Sequence, residues 1–356
     1  MSRIGVLRCA LAAVLFGVSA PLASRLTDDM GAFTLAGLLY VGAALAVIPA
    51  LGRTPPSREA VRASLPSLSA AVVLGGMAGP VLLAFGLARV PAATSSLLLN
   101  LELVFTTLVA GLLFREHIGR HVVWGTVLVL SGGVVLGWSA SPELRWGALL
   151  IAGACLCWAF DNSVTAGLDR LAPAHITFAK GVIAGGTNLV IGLATSATPE
   201  VRPLLWALVV GAIGYGASIT LWVTGARDLG AARGQLVFAT APFIGALVAW
   251  LVLTDPVTMR EVIAFAVGVV GVGLVLRSAH EHDHHHEPMM HEHEHVHDEH
   301  HRHGHEPGLV AAGEAQRHSH LHRHEPMVHV HPHVPDLHHR HDHPHDHPHD
   351  HPHGQD

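Results

Sequence analysis

Long apolar segments follow one another along most of the chain, separated by short loops that contain Pro, Asp, Arg or Gly. A membrane-spanning helix needs ~17–25 mostly apolar residues, and its backbone groups must be satisfied within the segment because hydrocarbon offers no partners. The segments do not show the alternating pattern of membrane β-strands. The sequence therefore predicts an all-α membrane protein with ten transmembrane helices. They are predicted at residues 7–23, 32–51, 68–87, 92–114, 122–138, 146–164, 176–194, 204–224, 235–253 and 262–276.

Charge is scarce in the apolar part and concentrated at the C-terminus. Only 13% of the residues are charged, against roughly 25% in a soluble domain. Of the 32 histidines, 29 follow residue 279. The first 279 residues therefore lack the polar surface of a water-soluble globule. Their Arg residues are scattered singly at segment ends, which does not indicate a nucleic-acid partner.

The orientation follows from the distribution of Arg and Lys between the loops. With a cytoplasmic N-terminus, twelve of the 17 basic residues before the tail lie on the cytoplasmic side and five on the outer side. Loops rich in Arg and Lys stay in the cytoplasm. We therefore expect a multi-pass protein of the plasma (inner) membrane with both termini in the cytoplasm.

Segments of the first half recur in the second. LARVPAATSSLL (87–98) resembles GARDLGAARGQL (225–236), and LVAGLLFRE (108–116) resembles LVAWLVLTD (247–255), at offsets of 138 and 139 residues. A five-helix unit has an odd number of helices, so its second copy enters the membrane upside down, as in many secondary transporters. The predicted domains are two inverted five-helix repeats and a histidine-rich tail, at residues 1–139, 140–278 and 279–356.

Glycine and proline interrupt two helices that this offset superimposes. LGGMAGP (74–80), which contains Gly79 and Pro80, matches GAIGYGAS (211–218). Interrupted helices at matched positions indicate a binding site near the middle of the membrane. Close helix packing through small residues explains the same pattern equally well. GVVLG (133–137) and GVGL (271–274) are expected to serve packing or homodimer formation.

The two halves resemble the EamA unit of the drug/metabolite transporter superfamily. The segments that carry the resemblance are residues 100–136 and 240–276, within a similar region of roughly 5–277. Family members show Glu-Pro or Pro midway in helix 4 or 9 and an acidic residue at the end of that helix. Glu102 and Pro242 match the first feature, Glu116 and Asp255 match the second, and Leu103 departs from the usual Pro. The resemblance implies a secondary transporter of small solutes, and it leaves the solute open.

Ionisable residues inside a membrane are functional candidates because burying a charge is expensive. Glu102 is expected to bind a cation or to exchange a proton, with a neutral interhelical Glu as the alternative. Asp161 and Asn162 are expected to form a polar patch at the inner mouth, with an interfacial helix-end position of Asp161 as an equal alternative. Lys180 is expected to lie at the interface. The candidate solute or coupling residues are Glu102, Asn100, Asp161, Asn162, Trp158, Tyr215, Gly79, Pro80 and Pro242.

The tail has too few apolar residues for a core, and its recurring Pro predicts disorder. Histidines interleaved with Asp and Glu favour binding of Ni, Co, Zn or Cu, and neutral repeat expansion is the alternative. The predicted ligands are His282, His284, His285, His286, His291, His293, His295, His297, His300, His301, His303, His305, His341, His343, His345, His347, His349, His351 and His353.

Two functions follow from these features. The first is a secondary transporter whose tail buffers or senses metal, with metal or a metal-linked metabolite as cargo and no required cofactor. The second is a membrane-anchored metal-binding, storage or sensing protein. An enzyme is not expected, because the sequence has no paired catalytic set and no Gly-x-Ser-x-Gly elbow. It also lacks a GxxxxGK[ST] loop, so transport would use an ion gradient.

Overall fold

The computed structural model describes most of the chain before the tail and four segments within it. The described residues are 3–52, 56–113, 119–138, 141–166, 168, 170–229, 234, 237–276, 280–286, 289–295, 318–324 and 327–333. Before residue 279 every regular element among them is helical. Eight helices in this described part are long and apolar enough to cross a membrane.

The first half contributes five helical regions, here named α1 to α5. Helix α3 is one continuous helical run, whereas α4 is interrupted at Leu99 and Asn100. The bounds are α1 Arg3–Leu26, α2 Ala32–Val47, α3 Arg58–Leu87, α4 Ala92–Leu98 with Leu101–Leu113, and α5 Arg120–Gly137.

The second half contributes α6 to α10. The bounds are α6 Pro142–Ala166, α7 Pro173–Thr195, α8 Val201–Val210 with Gly211–Ala217 and Ser218–Leu229, α9 Ala241–Leu251, and α10 Met259–Leu276. The first eight regions coincide with the eight candidate spans. Helix α9 is shorter, and α10 is not among these spans. Ten membrane crossings and the inversion of the repeats therefore stay predictions.

Three helices widen into π-helical turns where their sequence is rich in small residues. These turns are Val72–Ala78 in α3, Lys180–Gly185 in α7 and Gly211–Ala217 in α8. The turns in α3 and α8 begin 139 residues apart, at Val72 and Gly211. This separation agrees with the offset of the sequence repeat. Because π-turns release backbone groups from the regular helical ladder, they occur frequently at functional sites.

Helix α2 packs against three of the other helices. It contacts α7 and the π-turns of α7 and α8, and it also touches α3. Glycines allow the close approach: a Cβ on Gly211 would overlap the carbonyl oxygen of Leu39, and a Cβ on Gly181 would lie 2.5 Å from the carbonyl oxygen of Tyr40. Helix α6 packs on α3 and α4, and α5 packs on α10. The interior between α2, α3, α4, α6 and α7 is where the polar side chains meet.

Four short strands are described in the tail, and its predicted disorder stays a prediction. His280–His286 pairs antiparallel with Met327–His333, and Met289–His295 pairs antiparallel with His318–His324. Alternating residues suit a strand, whose side chains point to opposite faces in turn. The other residues of 279–356 lie outside the described residues.

Candidate functional site

A buried ion pair joins α6 to α7. The ammonium of Lys180 donates to both carboxylate oxygens of Asp161, at 2.6 and 2.7 Å. The side chains are only 14% and 7% exposed. The Thr165 hydroxyl also donates to Asp161, at 3.1 Å. The Lys180 ammonium is thus neutralised by an acid on the neighbouring helix, and its position at the membrane interface stays a prediction.

The π-turn of α3 presents its backbone to this ion pair. The carbonyl oxygen of Gly75 accepts hydrogen bonds from the Tyr40 hydroxyl at 2.6 Å and from the Trp158 indole at 3.2 Å. A Cβ on Gly75 would overlap the Asp161 carboxylate. A Cβ on Gly79 would lie 2.8 Å from the Trp158 indole nitrogen. Both glycines are thus required for the close approach of α3 and α6.

Asn188 of α7 reaches the same turn. Its amide donates to the carbonyl oxygens of Gly76 and Met77, at 3.4 and 3.3 Å. Asn188 is almost completely buried. The carbonyl groups released by the π-turn of α3 are thus paired with side chains of α2, α6 and α7.

A second polar contact joins α4 to α6. Glu102 is half-buried in the first turn after the interruption of α4, and its Oε1 accepts a hydrogen bond of 2.8 Å from the Asn162 amide. Asn162 directly follows Asp161 in the chain. The structure therefore brings Glu102, Asp161 and Asn162 to one region.

The interruption of α4 also fixes Asn100. Its side-chain amide donates to the carbonyl oxygen of Leu97, at 3.1 Å, and the residue is buried. This contact stabilises the local turn that places Glu102. Asn100 thus positions the candidate site through the backbone.

An aromatic wall extends the polar region toward α1 and α8. The rings of Tyr40 and Tyr215 have centroids 5.9 Å apart, and Phe16 packs edge-on against Tyr215 at 5.7 Å. Tyr215 lies within the π-turn of α8 and is buried. The predicted cavity residues Trp158 and Tyr215 thus lie on either side of Tyr40.

The two candidate prolines, Pro80 and Pro242, lie on different helices, α3 and α9. Pro80 is buried in α3, just after the π-turn. Pro242 lies in the first turn of α9, because that helix begins at Ala241. Residues 237 and 238 before it are helical, and residues 239 and 240 form a turn, so Pro242 lies beside an interruption of the helix predicted over 235–253. Helices accept proline in the first turn because its missing N–H has no intrahelical partner there.

Only some of the predicted metal ligands lie within the residues that the structure describes. Among the residues whose side chains the structure describes, no three His, Cys, Asp or Glu residues form a group that could hold a metal ion. The predicted tail ligands His282, His284, His285, His286, His291, His293 and His295 lie on the strands. The other predicted tail ligands, and Glu116, lie outside the described residues.

The profile of the EamA-like transporter family matches this chain over residues 3–138 and 145–277. The chain belongs to the EamA-like transporter family. This family consists of transporters rather than enzymes. The two matched ranges cover nearly all of the helical part and stop before the histidine-rich tail.

Individual relatives agree with this membership. An uncharacterized transporter of Methanothermobacter thermautotrophicus is 27% identical over 294 residues, which are 75% of this chain and 84% of the relative. An uncharacterized protein of Pseudomonas aeruginosa is 29% identical over 191 residues, 53% of this chain and 66% of the relative. One solved crystal structure has the same fold, with a TM-score of 0.57 and 21% identity, over 76% of this chain and 95% of that one.

Sequence reasoning missed two residues of this EamA-like site. Lys180 was placed at the interface, and Tyr40 was not singled out. A signal for Tyr40 existed, because the chain has only two tyrosines and both lie at the site. For Lys180 the signal was its position within the predicted span 176–194, together with its being the only lysine of the chain.

Proposed function

We propose that this EamA-family protein is a secondary transporter that moves a small polar organic solute and uses Glu102 as the coupling acid. The observation that carries this proposal is that one of the two interior acids has a positively charged partner and the other contacts a neutral group. Asp161 is paired with the Lys180 ammonium, whereas Glu102 contacts the neutral Asn162 amide.

This difference assigns separate roles to the two acids. A carboxylate inside the membrane costs ~2.5–3.5 kcal/mol or more unless it is neutralised. Asp161 meets that requirement permanently through Lys180. Glu102 meets it by taking up a proton or by binding a cationic group of the solute. Exchange of one for the other at Glu102 couples solute movement to a proton gradient.

The surroundings of Glu102 suit a polar organic solute. The Asn162 amide contacts Glu102 directly. Tyr40 and Trp158 meet at the Gly75 carbonyl in the same interior, where a polar solute could exchange with these bonds. Phe16 and Tyr215 offer apolar ring surface. Ligand sites commonly combine a mostly apolar lining with a few polar groups that fix orientation. A metal ion bound at Asp161 would have to displace the Lys180 ammonium, so we assign metal binding to the tail.

Expression of the full chain in a bacterial host tests this function. Untargeted mass spectrometry of cells and medium should reveal one or a few solutes whose distribution changes with expression. Glu102→Gln should abolish the change. Glu143→Gln, the same substitution at an exposed position of α6, should not. A change that persists in Glu102→Gln would contradict the role of Glu102.

The histidine-rich tail has a separate proposed role in binding divalent Ni, Co, Zn or Cu. A chain that ends at Arg277 keeps all helices of the EamA match and removes the tail. Elemental analysis of cells alongside the solute measurement distinguishes the two functions. Transport by the shortened chain supports an accessory tail. A metal effect that needs the tail but not Glu102, with no solute change, supports a membrane-anchored metal-binding protein instead.

A further inference from the structure

Two acidic residues, one in the loop before α10 and one in its first turn, hold the N-terminal part of α4. Asp255, in the loop between α9 and α10, accepts a hydrogen bond of 3.2 Å from the backbone N–H of Ala93. Glu261 accepts a hydrogen bond of 2.6 Å from the Thr94 hydroxyl. We propose that these contacts form a latch that closes one end of the transporter and must open for solute to pass there. This inference rests on the proposed transport function.

The Glu261 contact is buried and well satisfied. Glu261 is 2% exposed. Its second carboxylate oxygen accepts hydrogen bonds of 3.0 Å from both the backbone N–H and the hydroxyl of Thr258. Hydrogen bonds to charged groups contribute more than neutral ones. The carboxylate thus fixes the start of α10 and the start of α4 at the same time.

The Asp255 contact includes α1. Arg25, in the last turn of α1, lies 3.7 Å from the Asp255 carboxylate and donates to the carbonyl oxygen of Leu253 at 2.6 Å. Thr254, which lies between Leu253 and Asp255 in the chain, adopts φ +58°. This conformation is costly for a β-branched residue. Strained residues of this kind cluster at switch regions and persist only where the surroundings enforce them.

The opposite end of α1 carries an exposed ion pair. There Arg8 and Asp228 have side chains that are 42% and 33% exposed, and exposed pairs of this kind contribute little to stability. Close packing also joins α1 to α8 at that end, since a Cβ on Gly225 would lie 3.0 Å from the carbonyl oxygen of Gly5. Glu102 lies ten residues beyond the start of α4, which is roughly 15 Å from the latched end. The acidic side chains of the latch are thus more deeply buried than the ion pair at the Arg8 end.

The interruption of α4 supplies the part that moves. Ala92–Leu98 is separated from Leu101–Leu113 by Leu99 and Asn100. Release of Ala93 and Thr94 lets this short piece separate from α9, and the Asn100 bond to the Leu97 carbonyl transmits that movement to the segment that carries Glu102. The latch thus links access at one end to a helix that forms part of the solute site.

Cysteine labelling tests the latch without knowledge of the cargo. Ser96 is fully buried, and a Cβ on Gly245 of α9 would lie 2.8 Å from its hydroxyl. A Ser96→Cys reporter in the full chain, in lipid nanodiscs, is labelled with a maleimide and quantified by peptide mass spectrometry. Thr94→Val, which removes the hydroxyl bound to Glu261, should raise the labelling rate roughly tenfold. Thr94→Ser, which keeps the hydroxyl, should leave the labelling rate unchanged.

A second reporter separates latch opening from general loosening. Ser218 of α8 is equally buried and donates to the carbonyl oxygen of Ala12 at 3.0 Å. Labelling of Ser218→Cys should not change in the Thr94→Val protein. Equal rises at both reporters, or no rise at Ser96→Cys, would overturn the latch. If Ser96→Cys does not fold, hydrogen exchange of residues 92–98 gives the same comparison. Because labelling needs no transport, a raised rate with no transported solute would contradict only the proposed function.

Discussion

Lys180 on α7 donates to both carboxylate oxygens of Asp161 on α6, at 2.6 and 2.7 Å, across 19 residues of sequence. The pair is almost completely enclosed by the bundle. Each charge therefore depends on the other for its stabilisation. Removal of one partner leaves a charge with neither water nor a counter-ion.

Lys180→Met should lower the free energy of unfolding by about 3 kcal/mol, because it leaves Asp161 unpaired. Denaturation with SDS in mixed micelles measures this change. The double variant Lys180→Met/Asp161→Asn should recover much of the loss, since it removes both charges.

The exposed pair of Arg8 and Asp228 provides the control. Arg8→Met should cost less than about 1 kcal/mol, because solvent screens that pair. Equal losses for Lys180→Met and Arg8→Met would show that the interior pair does not stabilise the fold as proposed. A stable double variant without transport would assign the pair to function rather than stability.

Gly75→Ala should destabilise the protein more than any change at an unconstrained helical glycine. The added methyl group would overlap the Asp161 carboxylate, so α3 and α6 would have to separate. Overpacking of this kind costs about 1–3 kcal/mol. The midpoint of thermal unfolding in detergent should fall accordingly.

Gly186→Ala on α7 is the matched control for Gly75→Ala. A Cβ at Gly186 meets nothing within 4 Å, and alanine has the higher helix propensity. Its unfolding midpoint should stay equal or rise. If the two variants behave alike, the close approach at Gly75 does not matter for stability.

Much of the helical architecture could be predicted from sequence because hydrocarbon imposes a simple requirement on every segment that crosses it. The eight candidate spans overlap the first eight predicted segments. The ends of the helices were less predictable. Gln235–Leu253 was expected as one helix, whereas a turn at residues 239 and 240 separates the helical residues 237 and 238 from α9, which begins at Ala241. A continuous apolar run does not reveal an interruption, because the interruption depends on packing.

The site could be predicted in part, since buried charge is visible in sequence. Glu102, Asp161 and Asn162 were identified in this way, and the structure brings them to one region. The pairing of Asp161 with Lys180 was missed, because it depends on how α6 and α7 face each other. The role of Tyr40 was missed because its acceptor is the backbone carbonyl of Gly75. Every residue has such a carbonyl, so the residue types do not indicate which one accepts a side-chain hydrogen bond.

Tyr40 and Trp158 should act cooperatively on the π-turn of α3. Both donate to the carbonyl oxygen of Gly75, so either single substitution to Phe leaves one donor in place. Each single variant should cost about 1 kcal/mol. The double variant should cost more than the sum of the two, because the buried carbonyl then has neither side-chain donor.

A double-mutant cycle on the unfolding free energies checks this expectation. Tyr215→Phe serves as the control, because it removes a neighbouring tyrosine hydroxyl, which hydrogen-bonds to Ser19, and leaves both donors to the Gly75 carbonyl in place. Strict additivity of Tyr40→Phe and Trp158→Phe would show that the two donors do not share the Gly75 carbonyl.

Removal of the tail should abolish metal binding and leave the helical body folded. The full chain should bind Zn or Ni at pH 7.5 in equilibrium dialysis, whereas the chain ending at Arg277 should bind none. Binding should fall steeply below pH ~6, because imidazole has a pKa of ~6.5 and its protonated form has no lone pair for a metal. The shortened chain should keep the unfolding midpoint of the full chain, since the EamA match ends at residue 277. Metal retained after truncation would place ligands in the helical body and contradict the assignment of metal to the tail.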